Sequence, residues 1–368
     1  MAEQLDSFST RLLVAACVAL SFSSSAPAQD RVALTWNKKA AAAYLDGRAE
    51  WWAGWPTAAR DHDTFCISCH TALPYALGRP ALRTALGETD ASPNERKILD
   101  NVGRRISLWN DVQPFYSDEK QGVPKTLESR GTEAVLNALI AVSGQSGELA
   151  RQALENMCAL QLKTGDAMGA WPWLNFHNEP WEGDDSQYWG ATLAAIALGK
   201  AEPDYQASPP VRESIRSVSQ YLRHGAPEQS LLNRAFLLWA AALTPGLLTS
   251  EEKASLISSL EAKQLADGGW SSATLVIRSW KRRDGTPLDT KSDGYATGLV
   301  SFALEQAGIA PTQPPLSSAL AWLARNQEKG GFWPASSLNK RRDPQSDAGR
   351  FMTDAATAFS VLALTDLR

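Results

Sequence analysis

QLADGGW at residues 264–270 and QEKGGFW at residues 327–333 share the pattern Q-x-x-x-G-x-W. A looser third copy has Gln161 and Trp171, with four more residues between them. Each copy follows an amphipathic segment of helical period. After a polar loop it precedes a second segment composed almost entirely of small and apolar residues. An outer amphipathic helix followed by a buried one, repeated along the chain, predicts an all-α repeat architecture.

Two further segment pairs and an alanine-rich pair near the start keep the same order without the glutamine motif. No stretch shows the period-2 alternation of a half-buried strand, so a sheet is not expected. We therefore predict an α/α toroid of about six helix pairs, forming a single domain over residues 29–368. The predicted pairs are 38–52 with 73–86, 94–109 with 132–142, the helix before Gln161 with 190–198, 211–223 with 233–243, 253–263 with 295–304, and 316–326 with 355–364.

The glutamine–tryptophan motif resembles the repeat of squalene-hopene cyclases and oxidosqualene cyclases, whose toroid also underlies the protein prenyltransferases. As a motif, the resemblance covers residues 153–171, 256–270 and 319–333; as an architecture, it covers nearly all of the chain after residue 28. It implies a structural role in which the glutamine and tryptophan of each copy join outer helices. The residues concerned are Gln161, Trp171, Gln264, Trp270, Gln327 and Trp333.

The first 28 residues have the order of a secretory signal peptide. Arg11 precedes an apolar run at 12–20, and Ala26-Pro27-Ala28 ends the segment. This predicts export, to the periplasm of a bacterium, where thiols rarely stay free. The apolar run is too short to span a bilayer, so a transmembrane protein is not expected. The net charge of −4 is too mild to indicate nucleic acid as a partner.

Cys66-Ile67-Ser68-Cys69-His70 has the C-x-x-C-H spacing of c-type haem attachment. In such a site Cys66 and Cys69 bind the haem covalently and His70 ligates its iron as the proximal ligand. The motif comes just before the first predicted inner helix, so we expect one haem c beside the central cavity. A redox dithiol, a plain disulfide and a zinc site are the alternatives.

The long loop from 164 to 184 offers candidates for the sixth iron position. His177 and Met168 lie in this loop, on the rim where the motif is expected. Either side chain is a possible distal ligand, and an open or solvent-ligated iron is the alternative.

The acidic run Glu182-Gly183-Asp184-Asp185-Ser186 is similar to the D-x-D-D-T motif with which class II terpenoid cyclases protonate an alkene. The resemblance implies Asp184 as the catalytic acid, although Glu182 replaces the first Asp and Ser186 the Thr. The alternative is helix capping, because Asp is a good N-cap residue. Equivalent aspartates, Asp185, Asp293 and Asp354, precede three of the inner helices.

Two functions follow from these patterns. The first is an exported c-type haem protein with an electron-transfer or redox role and a redox partner protein. The second is a terpenoid cyclase-like isomerase or lyase in which Asp184 acts on an isoprenoid in the central cavity and the cysteines are structural. A polysaccharide lyase on a similar barrel is a third possibility. The matching KRRD runs at 281–284 and 340–343 are candidates for binding an anion, such as haem propionates or a substrate carboxylate, with a solvated loop as the alternative.

Overall fold

The computed structural model describes residues 34–144, 147–277 and 279–366. The predicted signal peptide, residues 1–28, lies outside the described residues. Within the described part of the chain, no helix combines the length and apolar character needed to cross a membrane.

Six outer and six inner helices alternate along the described chain. The outer helices are α1 (Lys38–Gly54), α3 (Pro93–Ser107), α5 (Glu148–Ala159), α7 (Pro209–Gly225), α9 (Ser250–Glu261) and α11 (Pro314–Arg325). The inner helices are α2 (Ala72–Leu86), α4 (Thr126–Gly144), α6 (Ser186–Gly199), α8 (Leu231–Leu243), α10 (Gly294–Gln306) and α12 (Phe351–Thr365).

The connections carry short elements. Single helical turns are Asp118–Gln121, Pro203–Gln206 and Ser272–Leu275, and 3-10 turns are Ala226–Glu228 and Ala348–Arg350. The two-residue strands β1 (Ala59–Arg60) and β2 (Thr64–Phe65) pair antiparallel just before the C-x-x-C-H motif.

The inner helices form a closed ring. Each packs against the next, and α12 packs against α2. Small residues allow this close approach: a Cβ placed on Gly298 of α10 would lie 2.6 Å from the backbone nitrogen of Ser360 in α12. The inner helices are buried almost throughout, whereas an outer helix such as α7 buries only one stripe. The predicted α/α toroid of six helix pairs is confirmed.

The three motif glutamines join consecutive outer helices. Each Nε2 donates one hydrogen bond to the carbonyl of the glycine in its own motif and one to a carbonyl at or near the start of the next outer helix. The acceptors are Gly169 and Ser214 for Gln161, Gly268 and Pro315 for Gln264, and Gly331 and Asn37 for Gln327, at 2.6–3.1 Å. Because Asn37 is the N-cap of α1, the last of these bonds links the end of α11 to the start of α1.

The motif tryptophans are also structural. Trp171, Trp270 and Trp333 are fully buried. Each Nε1 donates to a backbone carbonyl of the preceding outer helix: Met157 at 2.6 Å, Leu260 at 2.7 Å and Leu323 at 2.7 Å. The structural role predicted for the motif is confirmed.

Candidate functional site

A cavity of about 260 Å³ lies at the end of the ring where the inner helices begin. The C-x-x-C-H segment, the loop before α6 and the loop before α12 contribute to its wall. The wall is rich in aromatic side chains, which are Trp52, Trp55, Phe115, Tyr116, Trp181 and Phe351.

His70 lines this cavity between aromatic rings. Its imidazole stacks on Phe351, with ring centroids 3.6 Å apart, and meets the edge of Trp52 at 4.9 Å. Burial, with smaller contributions from Arg48 and Arg342, lowers the pKa of His70 to about 3. The imidazole is therefore neutral at physiological pH.

A hydrogen-bond relay fixes the tautomer of His70. The Thr71 hydroxyl donates to Asp354 Oδ2 at 2.7 Å, so its oxygen is free to accept from His70 Nδ1, 2.9 Å away. This network assigns the proton to Nδ1 and leaves the Nε2 lone pair as an acceptor or ligand.

Asp354 anchors this relay from inside α12 and does not cap that helix. Its carboxylate accepts hydrogen bonds from Arg48 Nε at 2.9 Å and from the Tyr44 hydroxyl at 2.8 Å, in addition to the bond from Thr71. The capping prediction holds only for Asp293, whose side chain accepts from the Ala296 backbone nitrogen at 2.9 Å.

Asp185 stands at the N-cap position of α6 but makes no capping hydrogen bond through its side chain. Its carboxylate instead accepts from Asn233 Nδ2 at 3.1 Å. The three aspartates therefore occupy similar places in the sequence and have different partners. The repeat did not predict those partners.

Cys66 and Cys69 are buried, unbridged and part of the same cavity wall as His70. Burial raises the pKa of Cys66 to about 12 and shifts the pKa of Cys69 upward as well, so both thiols are protonated. Two thiols beside an imidazole with a free Nε2 and a hydrogen-bonded Nδ1 form a donor set that fits covalent haem c. Haem attachment at Cys66 and Cys69, with His70 as ligand, stays a prediction.

Glu182 is an acidic residue of the cavity wall with a raised pKa. Its backbone pairs with Asn178 through two hydrogen bonds of 2.9 and 3.0 Å, which form a tight loop ahead of α6. Burial raises the pKa of Glu182 to about 7, and a hydrogen bond from Asn178 acts in the opposite direction. At neutral pH this carboxyl group holds a proton for a large fraction of the time.

A second carboxylate of the same loop, Glu179, also lines the cavity. Its Oε1 forms an ion pair with Arg283 Nη2 at 3.2 Å, and Arg283 belongs to the first KRRD run. The cavity therefore combines an acid that retains its proton with a carboxylate that is paired to a cation.

The structure places the predicted acid outside this cavity. The side chain of Asp184 is 75% exposed and accepts from Asn175 Nδ2 and His177 Nδ1, both at 3.0 Å. These hydrogen bonds, that of Asn175 first, lower the pKa of Asp184 and favour its ionised form. A general acid must instead hold a proton.

The two candidates for a distal iron ligand are also away from the cavity wall. The side chain of His177 is 56% exposed and Met168 is 47% exposed, and neither is among the residues that line the cavity with His70. The structure thus brings Cys66, Cys69 and His70 together and leaves Asp184, His177 and Met168 apart from them.

Sequence reasoning missed Glu182, Phe351 and the Thr71–Asp354 relay. In the sequence, Glu182 was considered only as a replacement for the first Asp of the D-x-D-D-T motif. Its neighbour Trp181 was the available signal, since an apolar environment raises the pKa of a carboxyl group. Phe351 contacts His70, and Asp354 contacts Thr71, from the opposite end of the chain, and no local pattern predicts these contacts.

Comparison with known proteins gives a structural relative and no sequence relative. No protein-family model matches the chain, and no curated protein is similar to it in sequence. Among solved structures, the GH76A alpha-1,6-mannanase from Salegentibacter sp. HEL1_6 matches with a TM-score of 0.53 and 11% identity, covering 90% of this chain and 100% of that one. At this identity the likeness shows the fold.

This comparison corrects the predicted relationships. The matching toroid belongs to a glycoside hydrolase, so the assignment to the terpenoid cyclase and prenyltransferase superfamily is wrong. The described residues also contain no group of three or more His, Cys, Asp and Glu side chains placed to hold a metal ion. The toroid match also overturns the two functions derived from the sequence, a haem electron-transfer protein and an isoprenoid isomerase. Covalent attachment of haem is a separate prediction, which this match does not test.

Proposed function

We propose that this protein is a carbohydrate-active enzyme that hydrolyses a glycosidic bond in the aromatic cavity. The observation that carries the proposal is Glu182, a carboxylic acid in the cavity wall whose pKa burial raises to about 7. Such a group can give its proton to a leaving glycosidic oxygen at neutral pH. The toroid shared with an alpha-1,6-mannanase supports this reaction class.

Glycoside hydrolysis generally needs two carboxyl groups with separate roles. Glu182 is the general acid. Glu179, ion-paired with Arg283 at 3.2 Å, is the carboxylate that activates water or attacks the sugar. Both come from the loop before α6, so a single loop supplies the chemistry.

The rest of the cavity suits a sugar. Trp52, Trp55 and Trp181 offer flat apolar surfaces for the hydrophobic faces of sugar rings. The neutral His70 can accept a hydrogen bond from a sugar hydroxyl at Nε2, because the relay holds its proton on Nδ1. A volume of about 260 Å³ is slightly below the range of pockets for drug-sized ligands, roughly 300–1,000 Å³, so the cavity suits one end of a glycan.

Export is part of the same proposal. An enzyme that acts on polysaccharide meets its substrate outside the cytoplasm, which agrees with the signal peptide expected at residues 1–28. Detection of the mature protein, starting at Gln29, in the periplasmic fraction of an expressing bacterium would test this part.

The experiment that tests the function is a hydrolysis assay. Purified protein is incubated with mannans and a panel of other polysaccharides, and new reducing ends are measured. Glu182→Gln keeps the side-chain shape and removes the acid, so it should lower turnover by about 100-fold or more. Asp184→Asn, in the same loop but exposed, should keep wild-type turnover.

Two outcomes would count against the proposal. One is a wild-type protein that releases no reducing ends from any polysaccharide in the panel. The other is a Glu182→Gln variant as active as the wild type. Loss of activity in Asp184→Asn alone would transfer the acid role to the exposed carboxylate.

A further inference from the structure

Two arginines line the cavity without an ion-pair partner in the described residues. Arg60 belongs to β1, and Arg342 belongs to the second KRRD run. We infer that these two side chains bind an anionic group of the sugar, so that the substrate is an acidic saccharide carrying carboxylate or sulfate. This inference rests on the proposed function and names its substrate class.

Arg60 is held at the wall by its own segment. Its Nη1 donates to the carbonyls of Thr57 and Ala59, both at 2.8 Å, and its guanidinium lies 5.2 Å from the ring centroid of Tyr116. Its Nε is buried and has no hydrogen-bond partner in the described part of the chain. The guanidinium is therefore positioned, and part of its donor capacity is unused.

Arg342 comes from the loop before α12 and also lines the cavity, the same one that His70 lines. Within residues 34–144, 147–277 and 279–366 it makes no hydrogen bond and no ion pair, unlike the other arginines near this wall. Arg282 donates to the carbonyls of Ser337 and Pro287, and Arg283 pairs with Glu179.

The charges around the cavity leave both arginines uncompensated. Glu179 is paired with Arg283, and Glu182 retains its proton up to about pH 7. His70 is neutral. A cation in a partly desolvated wall gains most from an anion that reaches it, and the guanidinium fork matches a carboxylate or sulfate with two parallel hydrogen bonds.

Binding to Glu182→Gln protein, which does not cleave its ligand, tests the inference by calorimetry. The probes are a trigalacturonate, a sulfated trisaccharide and the neutral mannotriose. At least one acidic probe should bind about 10-fold or more tightly than mannotriose. Comparison of the two acidic probes distinguishes carboxylate from sulfate.

Arginine variants in the same background locate the anion site. Arg342→Gln should weaken binding of the acidic probe by about 10-fold and leave mannotriose unchanged, whereas Arg342→Lys should recover part of the loss. Arg341→Gln, at the exposed neighbouring position, is the matched control and should bind like its parent. Arg60→Lys should also weaken binding of the acidic probe. Lysine retains a charged donor, so it disturbs the fold less at a residue that donates hydrogen bonds to its own loop.

The results separate this inference from the proposed function. Mannotriose binding as tightly as both acidic probes, or an Arg342→Gln variant that binds them like its parent, overturns the acidic-sugar inference. In that case, cleavage of neutral mannans by the wild type would still support the proposed hydrolase activity. If an acidic probe binds through Arg342 and the wild type cleaves no polysaccharide, the proposed hydrolase activity is wrong and the anion-binding site is supported. If no saccharide binds, both are wrong.

Discussion

Cys66, Cys69 and His70 lie at one wall of the cavity, where covalent haem stays a prediction. Protein exported by a bacterial host with haem-maturation machinery should carry one haem that remains on the polypeptide in a denaturing gel, because thioether bonds survive unfolding. The Cys66→Ala/Cys69→Ala variant should carry none. Cys158→Ala, which changes a free cysteine outside the motif, should keep the haem.

A colourless wild-type protein, from a host that matures a control cytochrome c, would refute covalent attachment. Haem and sugar would share one cavity of about 260 Å³. The hydrolysis assay is therefore run on protein from the exporting host and on protein made without haem maturation.

The chemistry of Glu182 depends on residues far away in the sequence. Asn178, which pairs with the Glu182 backbone, has its own side-chain oxygen held by Asn339 Nδ2 at 2.8 Å. The loop before α12 thus supports the loop before α6. Sequence patterns predicted the cysteines and His70 at the cavity, because the motif comes just before the first inner helix of the repeat. They could not predict which carboxylate of 182–186 faces inward, because that depends on a tertiary contact.

At the scale of elements, each motif tryptophan secures an outer helix to the loop that follows it. Trp270→Ala removes a fully buried ring and its hydrogen bond to Leu260, and should lower the free energy of unfolding by about 3–5 kcal/mol. Trp280→Ala is the control, since Trp280 is only partly buried and lies in an irregular loop. Chemical denaturation at one pH measures the free energy of unfolding of both variants. Equal stability of Trp270→Ala and the wild type would contradict the packing argument.

The elements were predictable because the information for each is local. The Q-x-x-x-G-x-W copies mark where outer helices end, and the runs of small residues mark the inner ones. The motif also predicted that glutamines join outer helices, as seen at Gln264 and Pro315. The assignment to terpenoid cyclases was wrong because the glutamine–tryptophan motif indicates only how the helices pack. The same packing is compatible with other chemistry in the cavity.

For the whole molecule, three buried acids should make stability fall as the pH rises, and the buried neutral His70 opposes this fall only below about pH 6.5. Burial raises the pKa of Asp293 to about 6, of Glu182 to about 7 and of Glu305 to about 9. The folded protein keeps these protons, whereas the unfolded chain loses them above about pH 4–5. Their stabilising contribution is therefore complete below that pH and is lost as the pH passes each folded-state pKa.

Urea unfolding at pH 5, 7 and 9 measures this loss. Between pH 7 and 9 Glu305 contributes most of the decrease from these three acids, about 2–3 kcal/mol, and Glu182 contributes the small remainder. Glu305→Gln should make the profile shallower from pH 5 to 9, and Glu182→Gln should make it shallower mainly between pH 5 and 7. A profile that rises toward pH 9, or is the same in Glu305→Gln, would contradict the assignment.

The hydrogen bonds between Gln327 and Asn37 have a consequence for how the chain comes apart. An open stack of repeats has two ends, from which it can fray and lose a terminal unit while the remainder stays folded. Here the end of α11 is hydrogen-bonded to the start of α1, and α12 packs on α2, so the stack formed by the described helices has no free end. Removing either terminal helix pair would expose two apolar flanks at once, and the remaining five pairs should lose their cooperative transition together.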